Sequence, residues 1–390
     1  MKAINFSQRG KDGLLGIQHL ISMFGATTLV PLLTGLNVGV ALFTAGLGTL
    51  IFHFLTNKKV PVFLGSSFAF IPGIIAVGNS FGLQYAQGGI FVAGIAYLFF
   101  ALLVYKIGIE TINKYLPKHV IGTMIAIIGF SLIPVAINMS SYHFPIAIAT
   151  LTLACMIMYF AKGFTRQMVI LVAISFGYLM SYFAGMVDFT PIIEAQWFSI
   201  PSFSAPKFNA TAIFMIVPLV LATFMEHIGD ITANGAIVGK KFTEDPGLHK
   251  TLIGDGIATA VAGLLGGPAN TTYGENTGVL AITKNYNPQI LRLAAAFAIG
   301  LAFIGKIAGV LASIPVFVLG GISILLFSMI AKIGIMTLYE DKSWEDFEKI
   351  IIVTAMLILG FSSVEFWVFS GMSLAAIFGI ASNGVLTLRR

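Results

Sequence analysis

N-T-T-Y-G-E-N-T-G-V-L-A-I-T-K-N, residues 270–285, is a polar run set between apolar segments. It holds one carboxylate, Glu275, with two glycines, three asparagines and four threonines. On either side, apolar runs of about 17–25 residues recur, the length that spans a bilayer as a helix. Over the whole chain 57% of residues are hydrophobic and 10% charged, against about 25% charged in an average soluble domain. Too little polar surface remains to cover a soluble fold. The sequence therefore predicts an all-α polytopic membrane protein, with residues 270–285 as chain at membrane depth. Backbone that leaves a helix there finds no partner in lipid and must bond to protein, water or ligand.

Working outward, hydropathy gives spans near 14–33, 38–55, 62–79, 88–106, 118–138, 143–161, 167–187, 210–229, 251–266, 274–286, 289–311, 314–333, 347–362 and 365–387, about fourteen in all. They recur along the whole chain, so neither a cleaved signal peptide nor a soluble domain is expected. With the N-terminus inside, all of the 22 lysines and arginines fall on the inner side except Lys207, in an outside loop, and Lys306, within a span. Cytoplasmic loops are enriched in Lys and Arg. The pattern predicts both termini in the cytoplasm, and it accounts for the net charge of +6 without a nucleic-acid partner. The single cysteine, Cys155, lies in an apolar run; it allows neither an internal disulfide nor a cysteine metal site, and lipid or helix packing is expected around it.

The longest outside loop, 188–209, divides the spans into two halves of about seven, an odd number, so the second half starts on the opposite side of the membrane. Segment three, V-P-V-F-L-G-S-S-F-A-F-I-P-G-I-I-A-V-G (60–78), crowds Pro61, Gly65, Ser66, Ser67, Pro72 and Gly73 together. Proline removes a donor and glycine weakens a helix interior, so a continuous helix is not expected. In segment ten only V-L-A-I is continuously apolar. A helix from about Gly278 to Lys284 covers roughly 10 Å, a third of the hydrocarbon core. The bland reading is that both are ordinary packing irregularities. Their matching positions in the two halves favour a midplane binding site instead.

Ionisable residues within the membrane are functional by default. Glu226 and Asp230, in A-T-F-M-E-H-I-G-D-I, are four apart and share one helix face. Glu275 stands where segment ten turns helical. Asp255 is a weaker candidate, and His227 points elsewhere on its helix, towards interhelical packing. No H-E-x-x-H, P-loop or serine elbow occurs. The expectation is a transporter driven by an ion gradient, neither an enzyme nor an ATPase, with no metal.

Glu275, Asn276, Gly278, Thr283 and Lys284 resemble the signature of the nucleobase–ascorbate transporter family: Gln, Glu or Pro, then Asn, any residue, Gly, four residues, Thr and a basic or small residue. Q-H-L-I-S-M-F-G-A-T (18–27), L-G-S-S-F-A-F (64–70), T-P-I-I-E-A-Q-W-F (190–198), D-P-G-L-H-K (245–250) and N-T-T-Y-G-E-N (270–276) resemble its bacterial uracil-transporting branch. The resemblance runs from Gly13 nearly to the C-terminus. It implies two inverted seven-segment repeats, with short antiparallel strands from segments three and ten meeting at the midplane. It implies a core domain from 12–108 and 210–312, and a gate domain from 117–190 and 313–388 that makes a homodimer. The implied activity is proton-coupled uptake of uracil across the cytoplasmic membrane by alternating access, with the proton as coupling ion and no cofactor. Glu226 and Glu275 would hold the pyrimidine N–H groups. Backbone N–H groups at Phe68 and around Gly274 and Glu275 would hold its carbonyls. Phe68 and Tyr273 would add ring contacts, Asn276 would complete the site, and Glu226 with Asp230 would handle the proton. One departure bears on cargo: Asp230 stands where some uracil transporters carry histidine, and an acid there is common in purine transporters, so xanthine or urate is the alternative. Glu275, where purine branches often have Gln, points back to uracil. Two carboxylates count against an anion exchanger. Unaltered cargo after uptake would tell a transporter from an intramembrane enzyme, and binding without transport would mark a sensor.

Overall fold

The computed structural model describes residues 8–115, 117–362 and 371–389. The sequence-predicted span 365–387 therefore lies outside the described residues up to 370. The first half runs α1 (Gln8–Thr34), α2 (Val38–Leu55), β1 (Leu64–Ser66), α3 (Ile71–Ser80), α4 (Leu83–Tyr115), α5 (Lys118–Ser141), α6 (Phe144–Phe160), α7 (Phe164–Gln167), α8 (Val169–Phe183) and α9 (Thr190–Glu194). The second runs α10 (Ala210–Ile216), α11 (Val220–Val238), α12 (Leu248–Leu265), β2 (Asn270–Thr272), α13 (Gly274–Thr283), α14 (Pro288–Ala302), α15 (Gly305–Ala312), α16 (Val316–Glu340), α17 (Phe347–Phe361) and α18 (Gly371–Arg389). Among the described residues six helical stretches are long and apolar enough to cross a membrane, and five shorter apolar helices accompany them.

Local chemistry sets the boundaries. Asn37 and Asn209 accept the amides of Val40 and Ala212 at 3.0 and 3.2 Å, capping α2 and α10. Asn287 caps α14 ahead of Pro288, whose missing N–H costs nothing in a first turn. α10 passes into α11 through the 3-10 turn Val217–Leu219, centred on Pro218. The span 289–311 is divided into α14 and α15, because Ile304 is extended and pairs with Phe198 of the outside loop. Lys306, read as lying within that span, instead stands in the first turn of α15. It donates to the carbonyls of Ile192 and Ile193 at 2.6 and 3.3 Å.

Segments three and ten are broken. β1 and β2 pair antiparallel, with Leu64 opposite Thr272, Gly65 opposite Thr271 and Ser66 opposite Asn270. The helix of segment ten starts at Gly274, four residues before the point expected from sequence. Tyr273 is extended (φ −106°, ψ 115°), and Glu275 falls in the first turn, where a carboxylate suits the helix dipole. Its ten residues rise about 15 Å.

Protein groups satisfy the strand ends. Ser67 N–H donates to Ala269 O at 2.8 Å, Tyr273 N–H to Phe63 O at 3.0 Å, and Leu64 N–H to Thr49 Oγ1 at 2.9 Å. The Asn270 side chain reaches across to Thr44 O at 3.2 Å. The Tyr273 ring lies directly on Gly65, where any Cβ would overlap it.

The helices pack in two groups. α5 lies along α16, which also meets α6 and α8; α17 and α18 join this group. In the other group α12 packs on α4 and α2, α14 on α2 and α1, and α10 on α4. Each group is built from both halves of the chain. Bare backbone makes the α5–α16 crossing close: a Cβ at Gly334 would overlap the Ala126 nitrogen, and one at Gly129 the Ala331 nitrogen. Small residues at such crossings let helices approach where lipid offers no hydrophobic drive. The exterior is apolar: Phe99, Phe160, Phe183 and Ile358 are exposed, as is Cys155.

Gly334→Ala should lower stability by about 1–3 kcal/mol through overpacking. Gly300→Ala, where the new methyl meets nothing within 4 Å, should be neutral or gain up to about 1 kcal/mol from helix propensity. Thermal unfolding in detergent checks both, and equal melting of the two variants would refute the close crossing.

Candidate functional site

α11 carries two polar faces, set by its 3.6-residue period. Thr223, His227, Ile231 and Asn234 face the protein and are buried. Asn234 Nδ2 donates to Pro61 O at 3.0 Å and Thr277 Oγ1 at 3.1 Å, tying α11 to the chain before β1 and to α13. His227 bonds to α12. The opposite face, with Ala222, Met225, Glu226, Gly229 and Asp230, lines a cavity of about 540 Å³. That volume falls in the usual range for small-molecule sites, roughly 300–1,000 Å³.

Glu226 is far inside the protein yet exposed to this cavity, and Asp230 and Glu275 are half-exposed. Asp230 Oδ2 accepts the Thr272 hydroxyl at 2.7 Å, so β2 holds the second carboxyl of α11 in place. Glu275 stands in the first turn of α13, whose leading N–H groups have no intrahelical partner. Gly274, beside it, is exposed. Across from α13, Phe68 and Ala69 begin the 3-10 turn after β1 and also line the cavity. The polar groups therefore converge from three directions: the face of α11, the start of α13 and the turn after β1.

Of the residues proposed from sequence, Glu226, Glu275, Phe68 and Asp230 come together on the cavity, with Gly274 at its edge. Tyr273 and Asn276 do not. Tyr273 is buried against Gly65 and its hydroxyl donates to Ser66 O at 2.8 Å. Asn276 is buried and donates to His19 O at 3.0 Å, with His19 Nδ1 at 3.2 Å, fastening α13 to α1. Both support the strands and the half-helix rather than face the cavity. Asp255 is likewise buried away from it, against His227.

The opposite wall escaped the sequence reading. Ile121, Ile125 and Ile128 of α5 and Leu326, Ile330 and Ile333 of the adjoining α16 line the cavity together. At its mouth Lys118 and Glu340 form an exposed ion pair at 3.2 Å. Isoleucines at helical spacing look the same whether they face a core, lipid or a cavity, so no signal marked them.

Comparison with known proteins gives the family. A model of the permease family (Xan_ur_permease) matches residues 10–367. The probable uracil permease of Haemophilus influenzae is 40% identical over 96% of this chain and 94% of its own length. The uracil permease of Bacillus subtilis is 39% identical, covering 95% and 91%. That of Escherichia coli K12 is 36% identical, covering 96% and 91%. Among solved structures, the transmembrane domain of the cyanobacterial bicarbonate transporter BicA superposes with a TM-score of 0.66 at 16% identity, covering 97% of this chain and 98% of that one. The murine Slc26a9 anion transporter in its inward-facing state gives 0.70 at 12% identity, covering 100% and 69%. At such identities these structures share the fold alone. The apolar helices, the match to the family model and the near-full-length relatives together make this chain a multi-pass membrane transporter, not an enzyme, belonging to the nucleobase–ascorbate transporter (permease) family.

Proposed function

We propose that this chain carries uracil together with a proton across the cytoplasmic membrane by alternating access. The observation that carries the reading is the convergence of Glu226 and Glu275 with two backbone turns on one cavity. Uracil is flat, with two N–H donors and two carbonyl acceptors. Carboxylates accept from the donors. The leading N–H groups of α13 and of the turn at Phe68 would donate to the carbonyls. The Phe68 ring offers a face for stacking. The relatives' names, uracil permeases at 36–40% identity, support the same cargo.

The packing supports a division into a core, 12–108 with 210–312, and a gate, 117–190 with 313–388, built as inverted repeats. The cavity lies between them. It follows α5 from Lys118 to Ile128, about 15 Å along the helix axis. A second cavity, about 300 Å³, takes up the next stretch of α5 at Ser131, Leu132 and Val135, facing Pro72 and Gly73 of α3. Two cavities that follow one another along α5 suit a site reached from alternate sides. The charge pattern puts Lys118 inside, so the larger cavity opens to the cytoplasm in this reading and both termini lie there. Glu226 is the proton site. Proton and uracil load outside, the core moves against the gate, and both leave inside. The gate pairs in a homodimer.

Labelled uracil should enter proteoliposomes faster under an inward-directed proton gradient, and excess unlabelled xanthine should not compete. Competition by xanthine would move the cargo to the purine side and make Asp230 the determinant. Glu275→Gln should weaken uracil binding about 10–100-fold, the effect of losing a hydrogen bond to a charged acceptor, measured by calorimetry. Glu226→Gln should abolish uptake or free it from the gradient; normal proton-coupled uptake by that variant would sink the mechanism.

A further inference from the structure

The cycle above leaves one buried ionisable pair without a part. His227 on α11 and Asp255 on α12 have no solvent exposure. His227 Nδ1 lies 3.1 Å from Asp255 Oδ2, and Nε2 lies 2.9 Å from Thr251 Oγ1. The Thr251 hydroxyl donates to the Leu248 carbonyl at 2.9 Å. Only its lone pair remains for His227, so Nε2 carries a hydrogen and donates it. That leaves Nδ1 facing a carboxyl oxygen, a contact that needs one hydrogen between the two atoms. Whether this hydrogen rests on nitrogen or on oxygen, the pair is neutral as a unit. Taking it away would set a carboxylate against a ring lone pair in a dry site. Asp255 Oδ1 has no hydrogen-bond partner among the described residues, so nothing there would stabilise the extra charge. The ionisable groups nearby are Tyr97 of α4 and Glu226 and Asp230 of α11. From α2, Phe52 places its ring 6.5 Å from His227, with His53 the next residue. None of these is a lysine or arginine that could replace the hydrogen.

We propose that His227 and Asp255 form a proton-sharing clamp that stays loaded throughout transport. It is not where the coupled proton is traded. It is a positioning pair: it fixes the rotation of α11 against α12. Glu226 follows one residue away, about 100° around the helix, so the clamp sets how that carboxylate meets the cavity. The inference rests on the uptake reading for its transport readouts.

Asp255→Asn separates the two roles. Its amide can still donate to Nδ1, but it can neither bind nor release a proton. Uracil uptake by Asp255→Asn should stay within about threefold of the parent, with the same pH profile and the same proton count per uracil. Asp255→Ala, which removes the bond, should raise KM about tenfold with a smaller change in kcat. The clamp is overturned if Asp255→Asn binds uracil but no longer couples its entry to protons, or if Asp255→Ala behaves as the parent does. If Asp255→Asn does not fold, nitrogen-15 NMR of the parent, labelled at its 6 histidines, gives the answer. One imidazole should show a hydrogen bond at each of its nitrogens, Nε2 to a hydroxyl and Nδ1 to a carboxyl oxygen. A spectrum in which no imidazole is bonded at both nitrogens would refute the clamp. A parent that carries no uracil would remove the uptake reading and leave the NMR test standing.

Discussion

Everything in this fold depends on a pair of three-residue strands that have left the helix at membrane depth. Each backbone N–H or C=O stranded there would cost several kcal/mol in hydrocarbon. The protein meets that cost with its own groups: the ladder between Leu64–Ser66 and Asn270–Thr272 and the bonds that flank it at Ser67, Leu64 and Tyr273. Once the strands are bonded on both sides, the helices that follow them must start inside the protein. Helix starts expose N–H groups, and these starts are directed at a cavity. The interruption thus produces polar groups on a cavity, without exposing the strands' backbone to lipid.

α11 shows how a single helix serves both structure and site. Its polar residues fall on two faces because their spacings differ. Thr223, His227 and Asn234 turn inward; His227 and Asn234 are spent on α12, α13 and the chain before β1, and the Thr223 hydroxyl donates back to its own helix. Glu226 and Asp230 turn to the cavity. A rotation of one residue would bury a carboxylate and expose the histidine. The bonds on the inner face prevent this, and Thr272 adds a restraint from β2 through Asp230.

Much of this was legible in sequence because membranes restrict the alternatives. Apolar runs and the placement of Lys and Arg indicated a polytopic chain. Proline and glycine at 61–73, and the polar residues at 270–278, marked where the helix breaks. The carboxylates were conspicuous because so few charges occur. The helix start at Gly274 was less legible: it depends on Tyr273 lying extended under a tertiary contact with Gly65, which no local propensity encodes. Asn276 was placed in the site because it sits in the signature and Tyr273 because it sits in the N-T-T-Y-G-E-N motif before it, yet both are committed to the scaffold. Their partners, Ser66 and His19, lie more than two hundred residues away in sequence. The α5 wall at Ile121, Ile125 and Ile128 carried no signal at all.

The architecture also shows what a fold leaves open. A bicarbonate transporter and an anion transporter superpose on this chain at TM-scores of 0.66 and 0.70. Two helix starts aimed at a cavity are by themselves an anion site, since both present N–H groups and the positive ends of dipoles. Glu226, Asp230 and Glu275 change that here. Carboxyl groups beside the helix starts offset the dipoles and repel free anions, while their oxygens accept from N–H donors. On the proposed reading a cargo must then offer donors as well as acceptors, and these three side chains are what would set this cavity apart from a bare anion cradle on the same fold.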